Sequence, residues 1–175
     1  NPEKSDPKYW RVIPEKSGGG PLSDMASHMF DVFIGLLGMP AKVYAKTKTL
    51  VQPYKVEDSA AILMEMPNGA QVVASFNWNS KTWSHEFEII GTEAKLKWHP
   101  YDAGEVIKTV GRDISNLDLP NSENVHQPVI DDFVRAIIEN REPRVSFAEA
   151  VKTNVLLDAV YESAANQYEV TPSEV

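Results

Sequence analysis

The hydrophobic pattern changes period early in the chain, and this change constrains the fold more than any other feature. Between residues 21 and 37 apolar side chains recur at spacings of three and four, which predicts a helix. Pro21 suits its first turn, and Gly38 and Pro40 end it. Beyond Pro40, short runs at hairpin spacing predict strands over 41–51, 59–66, 70–78, 83–90, 94–98 and 105–110.

Turn signals between these runs favour antiparallel pairing. Asn68-Gly69 is a strong hairpin signal, because both residues tolerate the positive φ that a tight turn requires. Gly91-Thr92-Glu93 is a second candidate turn. We therefore expect an antiparallel meander with one covered face.

Helical patterns return after the strands. Residues 113–124 are polar and predict a loop, and Pro128 then opens a helical pattern that ends near Asn140. Ser146 and Glu149 have capping-box spacing for a last helix that runs to about Asn166. One helix before the strands and two after them predict an α+β fold, in which an open, predominantly antiparallel sheet carries helices packed on one face.

The length of 175 residues suits one compact domain. Residues 1–20 are rich in Pro, Lys, Asp and Gly, so we expect an extended leading segment that ends in the flexible triplet Gly18-Gly19-Gly20. Residues 21–175 are expected to form the α+β domain. Because Asn1 is neither an initiator Met nor the start of a signal peptide, we expect the chain to begin within a longer protein, and an export signal on the missing part stays an open alternative.

Composition argues against several classes of function. The formal net charge is −8, from 17 basic and 25 acidic side chains, without a dense run of Lys or Arg, so we expect no nucleic-acid partner. The absence of cysteine excludes disulfides, thiolate zinc sites and cysteine nucleophiles, and agrees with a cytoplasmic location. No apolar run reaches the roughly 18 to 20 residues that cross a bilayer, so we expect no membrane contact.

A polar stripe on the first helix is the strongest candidate for chemistry. At about 100° per residue, Asp24, His28 and Asp31 share one narrow face. The stripe contains no Lys, Arg or Glu and has apolar neighbours, so it lines a cleft or forms a solvated helix face. An Asp one turn before a His can hold the imidazole in one tautomer, as a general base requires. A metal site built from the three side chains is a weaker alternative, because one helix stripe encircles an ion poorly.

The stripe belongs to a longer pattern, which reads Gly-Gly-Gly-x-Leu-x-Asp-x-x-x-His-x-x-Asp from Gly18 to Asp31 and follows Trp10-Arg11. This pattern resembles the signature that opens the substrate domain of the Gfo/Idh/MocA oxidoreductases, such as glucose-fructose oxidoreductase and inositol dehydrogenase. The resemblance continues along almost the whole chain, in the segments Val56-Glu57-Asp58-Ser59-Ala60, Pro67-Asn68-Gly69-Ala70, Ile90-Gly91-Thr92-Glu93-Ala94, Asp131-Asp132-Phe133-Val134-Arg135-Ala136-Ile137, Arg141-Glu142-Pro143 and Tyr161-Glu162-Ser163-Ala164.

The resemblance implies an enzyme of two domains that oxidises a sugar, cyclitol or related polyol. Its N-terminal domain, absent from this chain, would bind most of the NAD or NADP. The family's Asp and His correspond to Asp24 and His28, so His28 would accept the proton of the substrate hydroxyl, and Asp24 would bind sugar hydroxyls or orient His28. The exposed sheet face would pair subunits into a homo-oligomer, with a dimer as the minimum.

Three further residues are candidates for contacts with the substrate. Arg11 precedes the glycine triplet and can make forked hydrogen bonds, although an exposed loop position is an equal alternative. Asp31 completes the polar stripe. His85 lies in the strand predicted over 83–90, where a polar side chain more often faces solvent or a partner.

The chain also departs from the family pattern. It contains no Gly-x-Gly-x-x-Gly fingerprint and no Glu-Lys-Pro motif, and Ala26 and Ala94 stand where the family commonly has Gly. We therefore expect no turnover from this chain alone. Two other functions remain open: an NAD-dependent glycoside hydrolase of the same fold, and a non-catalytic binding or dimerisation module.

Overall fold

A computed structural model describes residues 4–100, 105–120 and 122–173. The chain divides into two compact units, one formed by Asn1–Ser80 with Val145–Val175 and the other by Lys81–Arg144. We call them the first unit and the second unit.

The helices that precede the strands are a 3-10 turn over Tyr9–Val12, α1 over Pro14–Ser17, a π-helix over Leu22–Ala26 and α2 over Ser27–Leu37. The strands of the chain are β1 (Lys42–Lys48), β2 (Ser59–Glu65), β3 (Gln71–Asn77), β4 (Phe87–Ile90), β5 (Lys95–Trp98), β6 (Val106–Val110) and β7 (Asp113–Leu117). The long helices that follow them are α3 (Gln127–Glu139) and α4 (Phe147–Asn166).

The first unit contains a three-stranded antiparallel sheet in the order β1-β2-β3. Burial alternates along β2, where Ala60, Ile62 and Met64 are buried and their neighbours are not. Helix α4 packs against β1 and also against α2. The buried side chains of Phe30 on α2 and Leu156 on α4 belong to this core. The core therefore lies between one face of the sheet and the two helices.

The second unit contains a four-stranded antiparallel sheet in the order β4-β5-β6-β7, followed by α3. Among its described residues, Ala136 is the one buried hydrophobic side chain. Helix α3 begins with Pro128 in its first turn and ends at Asn140, which adopts a left-handed conformation with φ of 50°.

The structure confirms the predicted α+β class with open antiparallel sheets. Each predicted strand run contains an observed strand, and each predicted helix is present. The hairpin between β2 and β3 turns at Asn68-Gly69, with Gly69 at φ of 84°. Ser146 caps α4, because its Oγ accepts a hydrogen bond from the Glu149 N–H at 3.3 Å.

Two local predictions are wrong. Residues 113–124 were expected to form a loop, but β7 pairs with β6 because Gly111, at φ of 59°, allows a tight turn that sets Val110 opposite Asp113. The triplet Gly18-Gly19-Gly20 was expected to be flexible, but Gly19 and Gly20 are buried. The segment before Pro21 is also more helical than expected, since Pro14 occupies the first turn of α1.

None of the described helices has the length and apolar character that a bilayer-spanning segment requires.

Candidate functional site

The π-helix over Leu22–Ala26 carries the first member of the polar stripe. The Ser27 N–H donates to the Leu22 carbonyl, five residues back, and the Ser27 hydroxyl donates to the Ser23 carbonyl at 3.0 Å. Single π-turns inside helices are frequent at functional sites. Because a π-turn winds less per residue than an α-helix, it helps to keep Asp24 on the same side of the helix as His28.

Arg11 and Asp24 form an ion pair. The Arg11 Nη1 atom lies 3.0 Å from Oδ1 and 3.1 Å from Oδ2 of Asp24, so a single guanidinium nitrogen reaches both carboxylate oxygens. The two side chains are 42% and 29% exposed, which leaves the pair accessible from outside. The Arg11 guanidinium carbon also lies 5.7 Å from the centre of the Trp10 ring, within the range of a cation–π contact. The structure thus brings together two predicted site residues that are 13 positions apart.

The Nε atom of Arg11 is a further donor. It is buried and has no hydrogen-bond partner within the described part of the chain. A buried donor of this kind is costly unless another molecule satisfies it. The Nε–H of Arg11 is therefore left unsatisfied by the described residues after Nη1 has bound Asp24.

His28 and Asp31 lie on α2, and both side chains are exposed. Within residues 4–100, 105–120 and 122–173, no hydrogen bond or ion pair joins either of them to Asp24. Asp24 therefore contacts Arg11 in this structure, whereas the sequence had also suggested that Asp24 orients His28. An exposed imidazole without a strong partner is free to meet a substrate hydroxyl.

His85 belongs to the second unit and lies two residues before β4 begins. Its main chain contacts the His99 ring, where the Nδ1 atom lies 3.0 Å from the His85 carbonyl oxygen. The Trp83 ring packs edge-on against the His85 ring, with centroids 5.6 Å apart. These contacts describe a local cluster of rings at the start of β4.

A buried polar network lies directly behind the π-helix. Glu57 Oε1 accepts a hydrogen bond from the Leu22 N–H at 3.1 Å and another from the Tyr161 hydroxyl at 3.0 Å. The Tyr161 hydroxyl also lies 3.0 Å from the Ser23 Oγ atom. Burial, with the neighbouring Glu57 carboxylate, raises the pKa of Tyr161 well above its usual value. Tyr161 therefore stays protonated and donates to Glu57.

The glycines before the π-helix are required by close approach to this network. A Cβ atom at Gly19 would overlap the Tyr161 hydroxyl, and a Cβ atom at Gly20 would overlap the Glu57 carbonyl oxygen. Only residues without a side chain fit at these two positions. The two glycines therefore allow the backbone to pack closely against Tyr161 and Glu57.

Asp58 stabilises the loop after β1. Its carboxylate is fully buried and accepts hydrogen bonds from the N–H groups of Leu50, Val51 and Gln52 at 2.8 to 3.0 Å. Burial opposes ionisation, but these bonds, together with one from the Asn79 side chain, outweigh it and lower the pKa of Asp58 from 3.8 to about 2. Asp58 thus fixes the backbone that follows β1.

A cavity of about 380 Å³ opens beside the glycine triplet. Its lining includes Gly18, Gly19 and Glu57, together with Pro14, Thr47, Lys48, Thr49, Lys55 and Val56. Asp24 and His28 do not line it.

The described residues contain neither a cluster of metal ligands nor a glycine cradle that faces a phosphate. No group of three or more His, Asp or Glu side chains in the described ranges is arranged to hold a metal ion. A dinucleotide cradle needs glycines whose backbone faces a phosphate. Here Gly19 and Gly20 face Tyr161 and Glu57 instead, so these residues do not fit a bound nucleotide.

Sequence reasoning missed Glu57, Tyr161 and Ser23 as a connected group. Tyr161 lies 104 residues from Glu57 and 138 residues from Ser23, so no local pattern connects them. The one available signal was the run of three glycines, because consecutive glycines before a helix indicate a close approach as readily as flexibility.

A protein-family model described as the GFO/IDH/MocA C-terminal domain matches residues 1–97, more than half of the chain. Oxidoreductase P35 from Formosa agariphila is 26% identical over 149 residues, which cover 85% of this chain and 46% of that protein. D-apiose dehydrogenase from Rhizobium rhizogenes is 29% identical over 160 residues, which cover 83% of this chain and 46% of that protein. The chain therefore spans about half the length of these curated relatives.

Solved structures share the fold. Aldose-aldose oxidoreductase from Caulobacter crescentus, in complex with glycerol, has a TM-score of 0.84 at 22% identity over 95% of this chain and 52% of its own. Levoglucosan dehydrogenase, in complex with NADH and levoglucosan, has a TM-score of 0.82 at 23% identity over 98% of this chain and 55% of its own. Since the family model covers most of the signature and strand region, this chain belongs to the Gfo/Idh/MocA oxidoreductase family and matches its C-terminal domain.

Proposed function

We propose that this chain is the substrate-binding and subunit-pairing domain of an oxidoreductase that acts on a sugar, cyclitol or related polyol. The observation that carries the proposal is the accessible Arg11–Asp24 pair beside the exposed His28, within the signature pattern of the family. Two proteins similar to this chain are named D-apiose dehydrogenase and levoglucosan dehydrogenase, which supports a sugar as substrate.

His28 is the proposed general base. Oxidation of a secondary alcohol removes a hydride from carbon and a proton from oxygen, leaving a carbonyl group. The exposed His28 imidazole would accept the hydroxyl proton, a role that typically contributes a factor of about 10² to 10⁴ in rate. Asp31, exposed on the same helix, would bind a more distant hydroxyl.

Asp24 and Arg11 would orient the substrate. The Asp24 carboxylate is an acceptor for sugar hydroxyl groups, and Arg11 fixes its position through the ion pair. The guanidinium N–H groups of Arg11 at the exposed end of the side chain would donate to a substrate oxygen. His85 remains a candidate from the second unit for a contact with the substrate.

NAD or NADP would supply the hydride acceptor. Because the glycines of this chain do not fit a nucleotide, we propose that most of the cofactor is bound by an N-terminal domain outside the 175 residues. Complexes of similar proteins with NADH support this cofactor class. We expect the chain alone to be inactive.

The outer face of the first sheet is the proposed surface for pairing subunits. Leu63 on β2 and Val73 on β3 stand directly opposite each other and are both exposed, Val73 by 79%. Exposed apolar side chains that adjoin on a sheet face favour contact with a second copy. The proposed assembly is a homo-oligomer, with a dimer as its minimum.

The test is cofactor reduction by the longer protein that contains this chain, with a panel of sugars and cyclitols. We expect His28→Ala to lower kcat by about 10² to 10⁴. His126→Ala is the control, because His126 is also exposed but precedes α3 in the second unit.

Three outcomes would contradict the proposal. Full activity of His28→Ala removes His28 as the base. Sugar release without net cofactor reduction identifies a glycoside hydrolase. A longer protein that binds neither cofactor nor sugar is a binding or pairing module.

A further inference from the structure

We propose that Tyr161 is a positioning residue that acts through Glu57 and Ser23 to hold the π-helix, and with it Asp24, in the arrangement that binds substrate. The proposal deepens the function argued above and rests on it. Tyr161 is separated from the reacting groups by Ser23 and Glu57, so its effect on chemistry would be indirect.

The network attaches to the first two residues of the π-helix. Glu57 holds the Leu22 N–H at 3.1 Å, and Tyr161 holds the Ser23 Oγ atom at 3.0 Å. Asp24 is the next residue along the chain. A shift of the Leu22–Ser23 backbone therefore moves Asp24 directly.

The residues that make these hydrogen bonds lie on or next to regular secondary structure of the first unit. Tyr161 lies on α4, the longest described helix, and Glu57 lies two residues before β2. The network thus connects the start of the π-helix to both the sheet and the helix that covers it.

The preceding glycines leave little room for the π-helix to move. Gly19 lies against Tyr161 and Gly20 lies against the Glu57 backbone, each too closely for a Cβ atom. The same two residues that bond the π-helix therefore also confine the chain that leads into it. Confinement and hydrogen bonding together indicate a fixed position instead of a mobile loop.

The role of Tyr161 in the network follows from the two contacts of its hydroxyl group. Glu57 is buried, and its carboxylate needs donors to offset the loss of water. Tyr161 supplies one donor while its oxygen contacts Ser23. Replacing Tyr161 by Phe removes both contacts and keeps the ring, which makes it a clean test.

The first experiment measures kcat and KM of the longer protein with its sugar substrate. We expect Tyr161→Phe to lower kcat by about 10- to 100-fold, because a small misplacement of a binding group costs that much. The pH profile of kcat should keep its shape, because His28 is untouched. The matched control is Tyr168→Phe, which removes an exposed hydroxyl bonded to Glu162 and should stay within about twofold of wild type.

Comparing kcat and KM with the urea midpoint distinguishes a positioning role of Tyr161 from a contribution to stability alone. If Tyr161→Phe lowers the urea midpoint but matches Tyr168→Phe in kcat and KM, Tyr161 does not act as a positioning residue. If Tyr161→Phe does not fold, Ser23→Ala replaces it, since it removes only the Ser23–Tyr161 contact. A decrease of kcat by about 3- to 10-fold is then expected as a partial loss of the same positioning, and wild-type kcat overturns the proposal.

A second experiment uses the 175-residue chain and needs no turnover. Amide hydrogen exchange at Ser27 reports the π-helix bond to the Leu22 carbonyl. We expect Tyr161→Phe, but not Tyr168→Phe, to speed this exchange by about tenfold or more. Equal exchange rates in both variants overturn the positioning role. If exchange responds while the wild-type longer protein oxidises no sugar, the proposed function fails and the network remains a support of the π-helix alone.

Discussion

The two units differ in how far they bury their apolar side chains. The first unit buries its apolar side chains between a sheet and two helices, and it binds the carboxylates of Glu57 and Asp58 internally. The second unit has one buried hydrophobic side chain among its described residues, Ala136. On α3, Phe133 and Ile137 are both more than half exposed.

The contrast shows that regular secondary structure does not by itself make a core. Helix α3 is strongly amphipathic in sequence, yet its apolar side chains are largely exposed in this structure. The first unit has the same kinds of residue and buries many of them, Phe30 and Leu156 among them. Stability and site geometry are therefore concentrated in the first unit, which also carries Asp24 and His28.

Truncating one apolar side chain in each unit should give the largest difference in unfolding free energy between the units. We expect Leu156→Ala, at a fully buried position on α4, to cost about 2 to 5 kcal/mol of unfolding free energy. Ile137→Ala, at a position 67% exposed on α3, should cost less than about 0.5 kcal/mol. Urea unfolding of the two variants checks this. Equal losses would show that Ile137 is buried in solution and would break the contrast.

Replacing one glycine by alanine in each unit should give a smaller difference in unfolding free energy. Gly20→Ala in the first unit forces a Cβ atom into the Glu57 carbonyl, so we expect a loss of about 1 to 3 kcal/mol. Gly91→Ala in the second unit brings its Cβ to 3.3 Å from the Ala94 oxygen, a tight contact that a small backbone shift relieves, so the loss should be smaller, at most about 1 kcal/mol. Thermal unfolding of both variants measures the difference. An unchanged unfolding temperature for Gly20→Ala would mean that the backbone before the π-helix shifts at little cost in free energy.

Much of the fold was predictable because its signals are local. The helix over residues 21–37 follows from apolar spacing, and the Asn68-Gly69 hairpin follows from turn chemistry. β7 was missed because its sequence, Asp113–Leu117, is mostly polar, and the tight turn at Gly111 sets its pairing. A short exposed strand leaves little hydrophobic pattern to detect.

The sequence predicts residues for the candidate site but not the contacts between them. Helix geometry and the resemblance together selected Asp24 and His28, and its position before the glycine triplet selected Arg11. That Arg11 rather than His28 contacts Asp24 depends on how the 3-10 turn packs beside the π-helix. Contacts of this kind form between separate segments of the chain, so a local sequence pattern does not predict them.

The smallest expected effect is a difference in how acid destabilises the two units. Asp58 in the first unit has its pKa lowered to about 2, and the Arg144 N–H and Arg141 lower the pKa of Asp132 in the second unit. A carboxyl group whose folded pKa is depressed stabilises the protein above its ordinary pKa, 3.8 here, and loses that contribution as the pH falls through the folded value. Both contributions are therefore complete at pH 6 and decline below about pH 4.

Urea midpoints between pH 6 and pH 2 test this for Asp58→Asn and Asp132→Asn against wild type. The gap in urea midpoint between wild type and Asp58→Asn should be widest at pH 6 and should shrink toward pH 2, because wild-type Asp58 then becomes protonated as well. The gap for Asp132→Asn should be smaller throughout and should also shrink with added salt, since its partner Arg144 is 90% exposed and solvent screens the pair. A gap for Asp58→Asn that stays constant with pH would show that the Asp58 carboxyl is not ionised in the folded chain, and the loop after β1 would then need another explanation for its order.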